Sequence, residues 1–551
     1  MKKIIKTMLL LAAVTTGIGT MVSCSDSDNL TAADALFRPI INTDDNIEMG
    51  LDDNLKPYMV VTWDNYTSAN QYTVQVVPVD GSVEAKEITT SELKCRFENL
   101  EYDKEYFVYI SSANTDNGLK SKPYSVTTTT PDYPTNLTTP ASTDIIDIAV
   151  RVKWAEGIIY DQLKVIKNSN DSVVAEVSVT DEDNAVREKI VNGLSPKTNY
   201  KVEAYYNGNY LGKKRFTTSA ADSFDGEIVD LRGWDEDASY KFIETCLDSL
   251  MTQAYPNQDI TIVLEGGMKY RLKNTKLNSS KGVIKFVTGQ TLAGYAEFDV
   301  TSNFDMNAGA ELRGLVFEKI NFYGAQPAES DGNFGGQYVF NIAGADSKIE
   351  LIRFSNCDIK WKRGILRQKD NASTVVNFEM DKCTCDSIAG YGIANSDKEG
   401  AVVENIKVTN STFSTCKVLF TNTKGKVAPN SVTIENCTFV NCPAQSGKFI
   451  TDFKGNKPTG DFYLKNCLIG PAAGELAIWS GSDNPDGSDI YYTNDIVWKP
   501  VNVETDPSPA AQLDGTTIST DVAGTFKDWA NGDFIILNTK ELKNVGDPRW
   551  Y

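Results

Sequence analysis

Apolar and polar positions alternate in short runs along most of this chain, a period of two that predicts strands. One such run returns five times between about Asp346 and Gly481, as IRFSNCDI, FEMDKCTC, IKVTNSTF, VTIENCTF and FYLKNCLI. Cys357, Cys383, Ser411, Cys437 and Cys467 hold the same point of each copy, at spacings of 26, 28, 26 and 30 residues. A return at that interval marks stacked units, each unable to cover its apolar face until a neighbour does so. A second short apolar run follows in each copy: GILRQK, YGIANS, KVLFTN, KFITDF and LAIWSG. Two or three strands per unit, at about 3.3 Å per residue, suit one coil of a parallel β-helix. Asn356, Asn410, Asn436 and Asn466 are then expected to stack at a bend, their amides bonding to one another and to turn backbone. The small cysteines beside them would fill the interior.

Upstream, the same alternation groups into two sets of strands. MVVTW, QYTVQVV, FENLEYDKEYFVYI and YSVTTTTP form the first, and VRVKW, QLKVI, VNGLSPKTNYKVEAYY and RFTT the second. Trp63 and Trp154 sit on an early strand of each, and Leu100 to Tyr106 repeats the spacing of Leu194 to Tyr200. Pro131, Pro134 and Pro140 punctuate the join. From Asp222 the pattern changes. SYKFIETCLDSLMTQA places Phe242, Ile243, Cys246, Leu247 and Leu250 at helical spacing, and predicts one amphipathic helix. Since an open stack end exposes unpaired strand edges, this helix is expected to cap it, partner binding being the alternative.

These patterns carry resemblances. The paired tryptophan and tyrosine positions are similar to those of fibronectin type III domains. The Asn-Cys repeat resembles the pectate-lyase-like right-handed parallel β-helix with its asparagine ladder, over roughly Asp259 to Asn494. The expected class is all-β: two fibronectin type III-like sandwiches (46–132 and 133–219), then a right-handed parallel β-helix (220–500) with its N-terminal capping helix. Residues 501–551, with a Pro/Ser/Ala-rich stretch near Pro507 and a strand-like FIIL, are expected to close the other end. The terminal GDPRW resembles the C-terminal domain of surface lipoproteins found with polysaccharide-uptake systems of gut Bacteroides.

Composition narrows the chemistry. A formal charge of −20 argues against nucleic-acid binding and repels polyanions at long range. The chain has no histidine, which removes Ser-His-Asp triads and histidine-metal sites. Met1 to Cys24, with Lys2, Lys3 and Lys6 ahead of MLLLAAV, reads as an export signal. Its end, MVSC, resembles a bacterial lipobox in which Cys24 becomes the lipidated first residue, an ordinary cleaved signal being the alternative. Residues 25–45 are then a tether, and its SDSDN start resembles the acidic tag of lipoproteins sent to the outer face of the outer membrane. No other segment approaches the roughly 20 apolar residues a membrane helix needs, so the protein is expected to be anchored and not spanning. Nine cysteines remain, six of them in two repeat columns, which favours packing over disulfides or zinc.

The second strand runs are the candidate ligand face. Taking Leu366, Ile393, Leu419, Ile450 and Ile478 as inward makes Arg367, Ala394, Phe420, Thr451 and Trp479 one outward column. Lys369, Ser396, Asn422, Phe453 and Gly481 make another. Phe420, Phe453 and Trp479 would offer flat faces to sugar rings. Arg367 and Lys369, joined by Lys362 and Arg363 at a turn, would clamp a carboxylate beside Asn422. The family resemblance implies that this sheet lines a saccharide cleft. A lyase of the family would use Arg367 or Lys369 as base and calcium to neutralise a uronate. Only Asp370, Asp397 and Asp452 are candidate ligands there, and DNPDGSD from Asp483 lacks the downstream Glu of a calcium loop. Paired aspartates of a hydrolase are not recognisable either. The expectation is therefore a non-catalytic surface lipoprotein binding polysaccharide, of acidic pectin type by analogy, alongside an outer-membrane glycan transporter. No catalytic or resident metal residue is assigned, although calcium stays possible. A uronate lyase and a structural or adhesive protein are the alternatives.

Overall fold

The computed structural model describes residues 36–500 and 511–551, apart from 67, 274, 301–302, 325–331 and 482. Cys24, the export segment and the stretch around Pro507 lie outside these residues. The chain condenses into two compact units, one built on residues up to Leu137 and a larger one holding Arg215–Tyr551, with the second sandwich contributing to both.

The first sandwich sets a three-stranded antiparallel sheet (Ile47–Leu51, Pro57–Thr62, Lys94–Phe97) against a four-stranded one (Lys86–Thr90, Gln71–Pro78, Glu105–Ala113, Tyr124–Thr129). Gln71–Pro78 and Glu105–Ala113 bury every second residue, as a half-buried strand must, and Trp63 and Tyr72 meet in the core. Tyr106 Oη accepts the backbone N–H of Glu101 at 3.1 Å. In the second sandwich Tyr200 Oη accepts that of Ser195 at 3.0 Å. Each tyrosine fixes the corner before its own strand, so the equal spacing legible in both sequences is one fibronectin type III-like device used twice.

From Glu227 the chain winds as a parallel solenoid. A ten-stranded parallel sheet runs from Glu227–Asp230 to Asp486–Ser488, and a fifteen-stranded one completes the coils. From the strand Glu311–Glu318 onward, each coil turns between them through one left-handed residue. Lys319, Asn356, Lys382, Asn410, Asn436, Asn466 and Asp489 occupy this place with φ between 49° and 56°. Asparagine tolerates that region best among residues with a side chain, and here it also finds partners. Asn466 Nδ2 donates to Asn436 Oδ1 at 2.8 Å, Asn436 Nδ2 to Asn410 Oδ1 at 3.1 Å, and Asn410 Nδ2 to Asp381 Oδ1 at 2.7 Å. The ladder expected from sequence is therefore present over Asn410, Asn436 and Asn466, with Asp381 as its last acceptor, whereas Asn356 shares the left-handed turn without a side-chain bond to it among the described residues. A second, shorter ladder had no sequence signal. Ser431 Oγ donates to Asn405 Oδ1 at 2.9 Å and Asn405 Nδ2 to Asn377 Oδ1 at 3.3 Å.

The thiol column lies inside. Cys357, Cys383, Cys437 and Cys467 are buried and free, each with Sγ 3.3–3.4 Å from the carbonyl two residues back. Ser411 makes the same bond to Thr409 O at 2.7 Å. A hydroxyl in that column is satisfied locally, which is why the copy tolerates it.

The helix Glu236–Ser249 is capped by Asp235, whose side chain accepts from Ala238 N–H. Phe242, Ile243, Leu247 and Met251 join the core of the first coils, and Tyr240 Oη donates to Asp299 at 2.6 Å. No helix among the described residues is long and apolar enough to cross a membrane.

The C-terminal segment differs from the expected end closure. It continues the stack by one strand, Thr516–Thr517 on Tyr491–Tyr492, then turns back along the side of earlier coils. Phe526, Phe534, Ile536, Leu542 and Val545 pack on Val440 and Leu468. Asp547 is fully buried, accepting from Thr412 Oγ1 at 2.8 Å and pairing with Arg549. Arg549 donates to Lys382 O and Cys383 O, each at 2.8 Å, and Trp550 Nε1 to Thr412 Oγ1 at 2.7 Å. GDPRW is thus a clamp across several coils.

Candidate functional site

The second strand runs pair in a register one residue away from the expected one at its first copy. Leu366 pairs with Ala394, Ala394 with Phe420, Phe420 with Thr451 and Thr451 with Trp479. This column faces inward together with Ile365, Ile393, Leu419, Ile450 and Ile478, all in one core cluster save Thr451, itself fully buried. Two consecutive side chains point inside where the chain turns into this strand, so the alternation assumed across that point fails. Phe420, Phe453 and Trp479 are 0%, 0% and 3% exposed, and Asn422 is 3% exposed. None of the three rings is a surface platform. Asn422 is likewise interior, donating to Val427 O at 3.3 Å. Lys369 is half-buried beside Asp370, at 3.2 Å, and its position follows Gln368, which occupies the inward column with Ser396.

The alternate column is polar and largely covered, with Asn395 0%, Thr421 6% and Asp452 7% exposed. Asn341 pairs with Arg367, Arg367 with Asn395, Asn395 with Thr421, and Thr421 with Asp452. Beside it lies a groove of about 390 Å³ lined by Gly390, Tyr391, Asp397, Thr421, Asp452 and Phe449 among others. Arg367 reaches two of these lining residues, its guanidinium lying 3.9 Å from the centre of the Tyr391 ring. Its Nε donates to Asp397 Oδ2 at 2.9 Å and its Nη1 to Tyr338 Oη at 3.3 Å. Burial disfavours the charge on Arg367, but the Asp397 hydrogen bonds and neighbouring Tyr338 outweigh it and hold its pKa above the ordinary arginine value. Arg363 stacks on the same ring at 4.8 Å. Of the other lining residues, Lys454 meets Asp452 at 2.5 Å, and the Phe449 ring has Lys499 5.4 Å away.

The sequence placed Arg367 on this strand run and named Asp397 and Asp452 beside it as candidate calcium ligands, but gave no signal for Tyr391, Thr421 or Phe449. Tyr391 and Phe449 each precede a buried stretch by one or two residues, a position only the true register reveals. Lys362 belongs elsewhere: it is wholly buried, its Nζ has no hydrogen-bond partner among the described residues, and burial lowers its pKa to about 7. No three His, Cys, Asp or Glu side chains among the described residues converge as a metal cluster. The DNPDGSD run turns Asp483 inward, where its Oδ2 accepts the N–H groups of Phe453 at 3.0 Å and Gly455 at 3.3 Å.

Residues 432–550 match a family model described as a domain of unknown function, DUF5123. The match begins in the coil of Val432 and ends on Trp550, so it contains the last coils and the GDPRW clamp, while Lys382, Cys383 and Thr412, which the clamp holds, lie before it. No curated protein matches the chain. Among solved structures, the chicken CNTN1 FN1-FN3 domains are 16% identical, covering 33% of this chain and 65% of that one, with a TM-score of 0.15. A two fibronectin type-III domain segment from chicken tenascin is 16% identical, covering 32% of this chain and 100% of that one, with a TM-score of 0.16.

Proposed function

We propose that this protein is a non-catalytic, lipid-anchored surface protein that binds polysaccharide in the groove between Tyr391 and Phe449. The fibronectin type III-like sandwiches and the solenoid fit a surface or structural protein. The observation that carries the binding reading is the groove itself, whose lining brings Thr421 and Asp452 together with the rings of Tyr391 and Phe449. Sugars are recognised through closely spaced hydroxyls, which need planar or charged hydrogen-bonding groups beside an apolar edge. A polymer would meet several such contacts along the coils, and avidity would compensate for modest affinity at each. In this reading Cys24 carries the lipid, the sandwiches are spacers, and an outer-membrane transporter takes up the glycan.

The lyase alternative needs a base near the groove. Arg367 is poorly suited, since its hydrogen bonds to Asp397 favour the charged form. Affinity electrophoresis of the protein begun after Cys24, through gels containing each of a panel of plant and microbial polysaccharides, tests the proposal. Retardation by at least one polymer, weakened in Phe449→Ala, is expected. Unaltered migration in every gel would favour the structural or adhesive role, and ultraviolet-absorbing unsaturated products would favour the lyase.

A further inference from the structure

Arg367 was expected to be free to grip a ligand carboxylate, and in the folded chain that grip is already filled. Asp397, 4% exposed, receives Nε of Arg367 at 2.9 Å and also its Nη2, while its other oxygen faces Lys424 Nζ at 3.6 Å. The rest of the groove follows the same rule. Lys454 is matched by Asp452 at 2.5 Å, and among the ammonium groups lining the groove only Lys448 lacks an ion-pair partner among the described residues. Two carboxylates therefore stand where a polyanion would need open cations, on a chain of formal charge −20. What remains is a row of matched acceptor and donor groups. A carboxylate accepts from adjacent hydroxyls and an ammonium donates to them, so the row suits vicinal diols without net charge.

We infer that the groove is built for a neutral polysaccharide, and that Asp397 sets this preference by occupying Arg367 and Lys424 in place of a ligand acid group. The inference rests on the binding reading above and sharpens it. A uronate chain would have to displace Asp397 from a buried, charge-assisted pair, and would then face it as a like charge.

The test compares wild type, Asp397→Asn and Asp397→Glu on polygalacturonate and on neutral galactan, arabinan and galactomannan, at 20 and 200 mM salt. Wild type is expected to be retained by a neutral polymer with little salt dependence and not by polygalacturonate. Asp397→Asn, which frees both cations, is expected to gain affinity for polygalacturonate by about tenfold or more at low salt. Asp397→Glu keeps the charge and is expected to stay unretained there. Salt-sensitive retention of wild type on polygalacturonate would overturn the inference while leaving polysaccharide binding intact, and it needs no variant to fold. A folded Asp397→Asn that gains nothing would overturn the role of Asp397. Failure of wild type and variants on every polymer would overturn the binding reading itself, and the inference with it.

Discussion

Lys362 gives the most quantitative handle on the solenoid. Its side chain is 0% exposed and its ammonium finds no hydrogen-bond partner among the described residues. Desolvation lowers its pKa from 10.5 to about 7, with Asp299 and Glu297 opposing the fall. At 1.36 kcal/mol per unit, that difference corresponds to about 5 kcal/mol of stability forgone when the amine must be charged in both states. The sign follows from proton uptake. Below pH 7 folded and unfolded chains both hold the proton, and the folded state bears the full cost. Between pH 7 and 10.5 the unfolded chain still holds a proton the folded one has released, so stability rises with pH. Lys362→Met keeps most of the volume and removes the charge. It should stabilise the solenoid by about 5 kcal/mol at pH 6 and about 2 kcal/mol at pH 9. Urea unfolding of wild type and variant at both pH values, followed by tryptophan fluorescence, measures this difference. A gain that is the same at both pH values, or a variant less stable than wild type, would show that the ammonium has a compensating partner and refute the reasoning.

Other consequences concern the ladder, the clamp and the thiols. Asn436→Ala removes the hydrogen bonds to Asn410 and Asn466 and leaves alanine at φ 53°, so a loss of about 3 kcal/mol is expected in thermal or urea unfolding. Asn436→Gly should lose less, because glycine relieves the backbone term. Arg549→Ala leaves the carboxylate of Asp547 buried without its cation, a local cost of about 3–5 kcal/mol, and limited proteolysis should then cut within 511–551 faster than in wild type. Burial lifts the Cys95 and Cys467 thiols to about 12 and raises those of Cys357, Cys385, Cys416 and Cys437. Native protein begun after Cys24 should therefore show fast alkylation only at half-buried Cys246, by mass spectrometry of labelled peptides.

The repeat made the architecture legible because each copy states its own bend. Asn410, Asn436 and Asn466 mark the left-handed corner, and the Cys-or-Ser place beside them marks the interior. The tyrosine spacing did the same for the sandwiches, since Tyr106 and Tyr200 each hold the backbone five residues upstream. The groove was less legible for a physical reason. A strand alternates strictly only while it stays in one sheet, and the second runs begin at a turn where two neighbours, such as Leu419 and Phe420, both face the core. Assigning one residue per face there moved Phe420 and Trp479 to the surface. Aligning Leu366, in place of Ile365, with Ile393 hid the polar column of Arg367, Asn395, Thr421 and Asp452. The clamp had a visible motif in GDPRW, but its partner Thr412 lies 135 residues from Asp547, beyond what local pattern shows.

The central claim, that the groove beside the Arg367 column takes polysaccharide, is tested most directly by hydrogen exchange of the protein with and without the polymer that best retards it. The account predicts slowed exchange confined to the segments around 390–397, 418–424 and 445–454. Slowed exchange on the ten-stranded sheet or the sandwiches, with those three segments unchanged, would contradict it.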